Sequence, residues 1–187
     1  MIRSLMFSTL TVLLLVANYT ATAQIQYQLD SKNSSMLVKG TSTIHDWEMT
    51  VENLQGAITL QESQALDQLT GGHFVLDVKS IKSERSLMNK KTYEALKEDD
   101  FPQIKAKVNQ VTQNGNSGSV VLELTIAGKT QKVTDDFEFS SANGTITVQG
   151  VLDLKMSDFG VEPPVAMMGT IKTGDEIKVE YKLVYNE

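Results

Sequence analysis

The sequence predicts an all-β domain of antiparallel strands, rolled into a barrel of about eight strands or stacked as a sandwich. Three observations predict it. Apolar and polar residues alternate with a period of two from residue 25 onward, which places them on opposite faces of a sheet. Turn-forming residues recur at intervals of about ten. No helical crossovers separate the strands, as a parallel sheet would require.

The elements follow in order. Residues 1–23 read as a cleaved signal peptide rather than as structure. Arg3 supplies a positive start, residues 5–17 are mostly apolar and uncharged, and Ala21-Thr22-Ala23 fits a small-x-small cleavage site. The apolar run falls short of the roughly 20 residues that a spanning helix needs. Nothing later approaches a transmembrane run, so cleavage after Ala23 would release residues 24–187 as one domain into the periplasm or the medium.

In that domain Ile25, Tyr27 and Leu29 alternate with glutamines. Phe74, Leu76 and Val78 share one parity, and Ile104, Ala106 and Val108 alternate with lysines. The pattern continues through Val120, Leu122, Leu124 and Ile126, then Phe137 and Phe139, then Ile146, Val148, Leu152, Leu154 and Met156. It closes with Ile177, Val179, Tyr181, Leu183 and Tyr185 against Lys178, Glu180 and Lys182. Asn114-Gly115-Asn116-Ser117-Gly118, Ala127-Gly128-Lys129, Asn143-Gly144 and Gly174-Asp175 supply residues that tolerate a positive φ where hairpins need one. One short helix is predicted near residues 89–97, where Tyr93 and Leu96 share a side. Pro102 then enforces an extended exit.

Composition excludes more than it assigns. With no cysteine in its 187 residues, the chain has no disulfide, thiolate nucleophile or cysteine-held cluster. A formal net charge of −6 argues against a nucleic-acid partner. Only two histidines exist, His45 and His73. Neither has an i, i+4 partner for a helical zinc site, and no G-x-S-x-G elbow, phosphate loop or dinucleotide fingerprint is present. The acidic runs Glu98-Asp99-Asp100 and Asp135-Asp136 read as solvated loops or strand ends. No catalytic residue, metal or cofactor is therefore expected.

An ordered set of segments resembles the YceI-like family of secreted bacterial proteins. Tyr27-Gln-Leu-Asp30 followed by Val38-Lys-Gly-Thr-Ser-Thr-Ile-His45 is similar to its opening strands and their histidine. Val78-Lys-Ser-Ile81, Ser86-Leu-Met-Asn-Lys-Lys-Thr-Tyr93 and Asp100-Phe-Pro102 resemble its strand, short helix and phenylalanine-proline exit. Leu122–Lys129 with Lys132-Val133 resembles the central hairpin, and Ser157-Asp-Phe-Gly160 with Gly174–Val179 the closing pair. The resemblance implies an extended lipocalin-like antiparallel barrel whose lumen holds an isoprenoid-type lipid, without established catalysis. Two departures stand out. Lys155-Met156 replaces an arginine common before the Ser-Asp-Phe motif, and Ser83-Glu84-Arg85 lacks the usual Arg-Asp pair.

Joined to the alternation, the resemblance gives candidates for a lipid site. Phe74, Leu76, Phe101, Phe137, Phe139, Met156 and Phe159 are expected to line the lumen, with Tyr93 and Leu96 of the helix closing one end. His45, Arg85, Lys90 and Lys91 are the rim candidates for a headgroup. The expected partner is a long-chain apolar lipid, carried or stored, and a homodimer is left open. The alternatives are a surface module with a filled core and, third, an enzyme on small lipophilic substrates.

Overall fold

The computed structural model describes residues 24–187; the signal peptide expected over residues 1–23 lies outside them. Strands β1 (Ile25–Leu29), β2 (Ser35–Ser42), β3 (Trp47–Val51), β4 (Leu54–Leu60), β5 (Leu69–Asp77) and β6 (Ile81–Lys82) precede helix α1 (Ser86–Ala95). After it come β7 (Gln103–Asn114), β8 (Ser117–Ile126), β9 (Lys129–Ala142), β10 (Thr145–Lys155), β11 (Val165–Ala166) and β12 (Ile171–Asn186).

These segments resolve into a closed barrel of eight antiparallel staves. The first three staves are each broken once. β1 and β2 form one, β3 and β4 the next, β5 and β6 the third, because β1 pairs β4 while β2 pairs β3, and β4 pairs β5 while β3 pairs β6. Local chemistry makes the first break: the Asp30 carboxylate accepts the backbone N–H groups of Lys32 (3.0 Å) and Asn33 (3.2 Å), and the Asn33 side chain (2.7 Å). These bonds hold that carboxyl below its ordinary pKa. β7, β8, β9 and β10 continue as a meander to β12, as the turn spacing predicts. Along its other edge β12 pairs first with β2 and then with β1, at Gln28–Asn186 and Leu29–Tyr185. That pairing joins the last stave to the first and closes the sheet on itself.

The alternation read from the sequence sets which side chains point inward, with two interruptions. In β7 the partner of β8 slips by one residue between Val108 and Gln110, and in β5 the partner of β4 slips opposite Thr59 and Leu60. A one-residue bulge exchanges the faces of everything beyond it. Inward positions therefore run Ile104, Ala106, Val108 and then Val111, which faces Val120. In β10, by contrast, Ile146, Val148, Leu152 and Leu154 keep one face throughout, with Gly150 among them.

The helix begins three residues earlier than expected and ends two earlier. Its start is pinned to the preceding loop by Asn89, which takes the backbone N–H and hydroxyl of Ser83 (2.8 and 2.9 Å) and returns its amide to the Ser83 carbonyl (3.0 Å). At its end Lys97 adopts φ 54, with Lys97 N–H on the Glu94 carbonyl and Glu98 N–H on that of Tyr93. This is a Schellman stop without the glycine that would announce it. No described helix is long and apolar enough to cross a membrane.

Packing is uneven along the barrel axis. At the end formed by β1, β4 and the β9–β10 turn, Tyr27, Ile58, Leu60, Leu66, Phe137, Phe139, Ile146 and Tyr185 form one buried cluster. Toward the other end two smaller clusters line opposite walls, one on Met36, Met49, Val51, Leu54, Leu76 and Ile81, the other on Ala106, Leu124, Ile126, Leu154, Phe159 and Val161. Between these walls the interior is open. In the β2–β3 hairpin the indole of Trp47 lies against Gly40, where an added Cβ would collide with the ring. Gly40→Ala is expected to destabilise the fold by about 1–3 kcal/mol, since the crowded ring must shift. Gly71, which has open space around its Cα, is the control: Gly71→Ala leaves the melting temperature unchanged or slightly raised.

Candidate ligand-binding site

The open interior is a cavity of about 470 Å³, running from a floor at Ile58, Leu66, Leu69, Phe137 and Tyr185 to a mouth between α1 and the loops before β3 and β12. Its wall is the inward parity of the staves: Val38, Met49, Ala106, Val108, Leu122, Leu124, Leu152, Val179 and Leu183. Such a volume and such a lining are typical of sites for small apolar ligands.

Most sequence candidates come together there. Phe74, Leu76, Leu96, Phe137, Met156 and Phe159 all face the cavity, Leu96 from the helix end. Three do not. Tyr93 turns away from the interior and places its hydroxyl 3.1 Å from the Lys79 carbonyl and 3.2 Å from that of Ile81, tethering α1 to the β5–β6 bend. Phe101 is 39% exposed and lies over Gly128 on the β8–β9 turn, where the Pro102 exit carries it outside the barrel. Phe139 points inward but below the floor; its ring meets that of Phe137 edge-on at 6.2 Å, so it fills the packed end.

At the mouth His45, Arg85 and Lys91 border the cavity, and Lys90 does not. Lys90 sits on the outer face of α1, 3.9 Å from Glu94. The His45 ring lies between two groups that fix its tautomer. Nδ1 is 2.8 Å from the Asp46 carbonyl, which can only accept, and Nε2 is 3.1 Å from Arg85 Nη1, which can only donate. The pair bridges the β2–β3 loop to the start of α1 across the opening. Beside it Ile44, Leu87 and Val165 are exposed apolar residues that continue the lining outward.

The sequence reading missed one part of the site. Asp135, read as part of a solvated run, is 7% exposed and points into the cavity. Its carboxylate accepts a hydrogen bond from the Tyr181 hydroxyl at 2.6 Å. The signal was present, because Val133, Asp135, Phe137 and Phe139 share a parity, but the acidic neighbour Asp136 hid it. Burial pushes the Asp135 carboxyl above its ordinary pKa, partly offset by the Tyr181 hydroxyl and the Asp136 backbone N–H. Burial, then the bond to Asp135, push the Tyr181 hydroxyl up as well.

A raised carboxyl means that the native state binds more protons than the unfolded chain between the ordinary carboxyl value and the elevated one. Stability therefore falls as pH rises through that window. Asp175, held low by the Ser157 hydroxyl and backbone N–H, acts in the opposite sense: its contribution is lost as pH falls. Denaturant midpoints of the wild type and Asp135→Asn, measured across the carboxyl range, isolate the first effect. The wild type should lose stability relative to the variant as pH rises; a constant difference would contradict it.

No three His, Asp or Glu side chains among the described residues are grouped to hold a metal ion. Comparison with known families matches residues 27–185 to the YceI-like domain. Solved structures share the fold, three of them as follows. The crystal structure of Burkholderia cenocepacia BcnA superposes with a TM-score of 0.71 at 21% identity, over 83% of this chain and 98% of that one. A polyisoprenoid binding domain from Saccharophagus degradans, described as implicated in plant cell wall breakdown, gives 0.64 at 15% identity over 86% and 97%. The Campylobacter jejuni YCEI protein gives 0.63 at 15% identity over 74% and 84%. No curated protein matches the sequence.

Proposed function

The chain belongs to the YceI-like family, matched from residue 27 to residue 185, and from that premise we propose that it binds a long apolar lipid of the isoprenoid type in its lumen. The observation that carries this reading is the unfilled, almost wholly apolar cavity that lies above the packed end of the barrel. A water-averse chain placed there gains about 25 cal/mol for each Å² of apolar surface removed from solvent. The same observation disfavours a surface module with a filled core. The polyisoprenoid-binding description of the Saccharophagus degradans domain supports the ligand class. The signal-like residues 1–23 support export to the periplasm, where the protein would carry or store its ligand.

The mouth suits a guest whose outer end is charged, because Arg85 and Lys91 border it. Arg85→Ala is expected to weaken a prenyl phosphate up to about fivefold and leave an uncharged prenyl hydrocarbon unaffected, the modest size reflecting solvent screening at an exposed site. The central test is organic extraction of protein purified from its native host, followed by mass spectrometry. A stoichiometric prenyl lipid is the expected result. Finding none, with no uptake of added prenyl lipid, overturns the reading.

A further inference from the structure

Among the described residues Asp135 is the only charged side chain that is buried, and it is buried in the wall of an apolar cavity. A carboxylate taken out of water is costly unless hydrogen bonds replace its hydration. The one side-chain donor it has is the Tyr181 hydroxyl, 2.6 Å from Oδ2. Among the described residues Oδ1 has no side-chain donor, and the Asp136 backbone N–H is the carboxylate's one further partner.

Three adjacent staves cooperate to make this arrangement. Gly150 of β10 pairs with Phe137 on one side and Tyr181 on the other. A Cβ on Gly150 would stand 2.5 Å from the Tyr181 hydroxyl oxygen, so only glycine there leaves room for the hydroxyl to reach across to β9. The β9–β10 ladder also ends at this point. Its last pair is Gly150–Phe137, so Asp135 lies where the two staves begin to part. The Met156–Phe159 turn packs against both staves and β12 above it, with the Gln131 amide on the Asp158 carbonyl at 2.7 Å. The polar pair is thus set in the wall above the Phe137 floor, well inside the mouth.

We infer that Asp135 and Tyr181 form an internal subsite for a neutral hydrogen-bond donor, a hydroxyl or phenol borne on the inner end of the apolar guest. The inference rests on the lumen holding such a guest and adds its chemical class and direction of entry. Oδ1 accepts the donor's proton in a hydrogen bond, and the Tyr181 oxygen, its own proton committed to Oδ2, offers a second acceptor. A group that only accepts finds no free donor here, and an anionic group meets a like charge. The subsite therefore selects an alcohol over its ether and over its phosphate at the inner end, whatever the outer end carries.

The test is displacement of the apolar dye N-phenyl-1-naphthylamine from the purified protein by farnesol, farnesyl methyl ether and farnesyl phosphate. Wild-type protein is expected to prefer the alcohol over the ether by about tenfold, the worth of a hydrogen bond to a charged group. Asp135→Leu removes the acceptor and Asp135→Asn turns it into an amide donor that alcohol and ether both accept, so each should bring that ratio close to one. The near-isosteric Asp135→Asn serves even if Asp135→Leu fails to fold. Equal binding of alcohol and ether by the wild type, or an unchanged ratio in both variants, overturns the inference while leaving the lumen reading intact. Failure of the dye and every probe to bind wild-type protein overturns the lumen reading itself.

Discussion

Leu122→Trp is expected to abolish most lipid binding while leaving the barrel folded. Leu122 faces the cavity beside its ladder partner Val108 and belongs to none of the three buried clusters. An indole placed there enters empty volume instead of a packed core, so the usual penalty for overpacking does not arise. It excludes the guest from the same volume. Losing contact with about 100 Å² of apolar ligand surface forfeits roughly 2.5 kcal/mol, on the order of 50-fold or more in Kd. The melting temperature should hold or rise, as cavity filling often raises it. The outward neighbour Glu123 supplies the control, since Glu123→Trp adds the same ring on the solvent face. Lipid titration and a thermal melt of both variants decide the matter. Unchanged binding by Leu122→Trp would show that the guest, if any, lies elsewhere.

The largest effect on stability is expected at the opposite end. Tyr27 is fully buried, with its ring in the cluster formed by Ile58, Leu60, Leu66, Phe137, Phe139, Ile146 and Tyr185. Its hydroxyl lies 3.0 Å from the Ser63 hydroxyl and accepts the Gln64 backbone N–H at 3.2 Å, pinning the β4–β5 connection. Tyr27→Ala removes the ring and leaves a cavity that the closed sheet cannot collapse to fill. The cost is about 3–5 kcal/mol, and at this chain length the melting temperature should fall by roughly 10 °C. Tyr27→Phe keeps the ring and loses only the hydrogen bonds, so about 1 kcal/mol is expected. A fall for Tyr27→Ala no greater than that for Tyr27→Phe would mean that this end is not the packed foundation of the barrel.

Between them, these predictions separate what one face of the sheet does in two places. At the Tyr27 end inward side chains reach each other across the barrel; at the Leu122 level they do not. Phe137 and Phe139 illustrate the difference within one strand. Both were expected to line the lumen, both point inward, and only Phe137 does so, because Phe139 is two residues closer to the packed end. Tyr93 and Phe101 failed as lining for another reason. They lie outside the regular staves, where no alternation fixes a direction, and a hydrogen bond or a turn glycine determined where each ring went. The rim was partly legible: His45 and Arg85 meet across the mouth, but the 3.1 Å contact joins residues 40 positions apart and no local pattern encodes it.

The sequence by itself determined the antiparallel staves, their turns, the short helix and the greasy character of the inward face. Each of these depends on neighbours within a few residues, through the two-residue pleat and the φ tolerance of turn residues. Only the tertiary structure decided that the face encloses free space, that Asp135 turns inward to meet Tyr181, and where the mouth lies. Those outcomes depend on the distance between staves that closure brings opposite one another, a length set by the whole sheet and by no single stretch of chain.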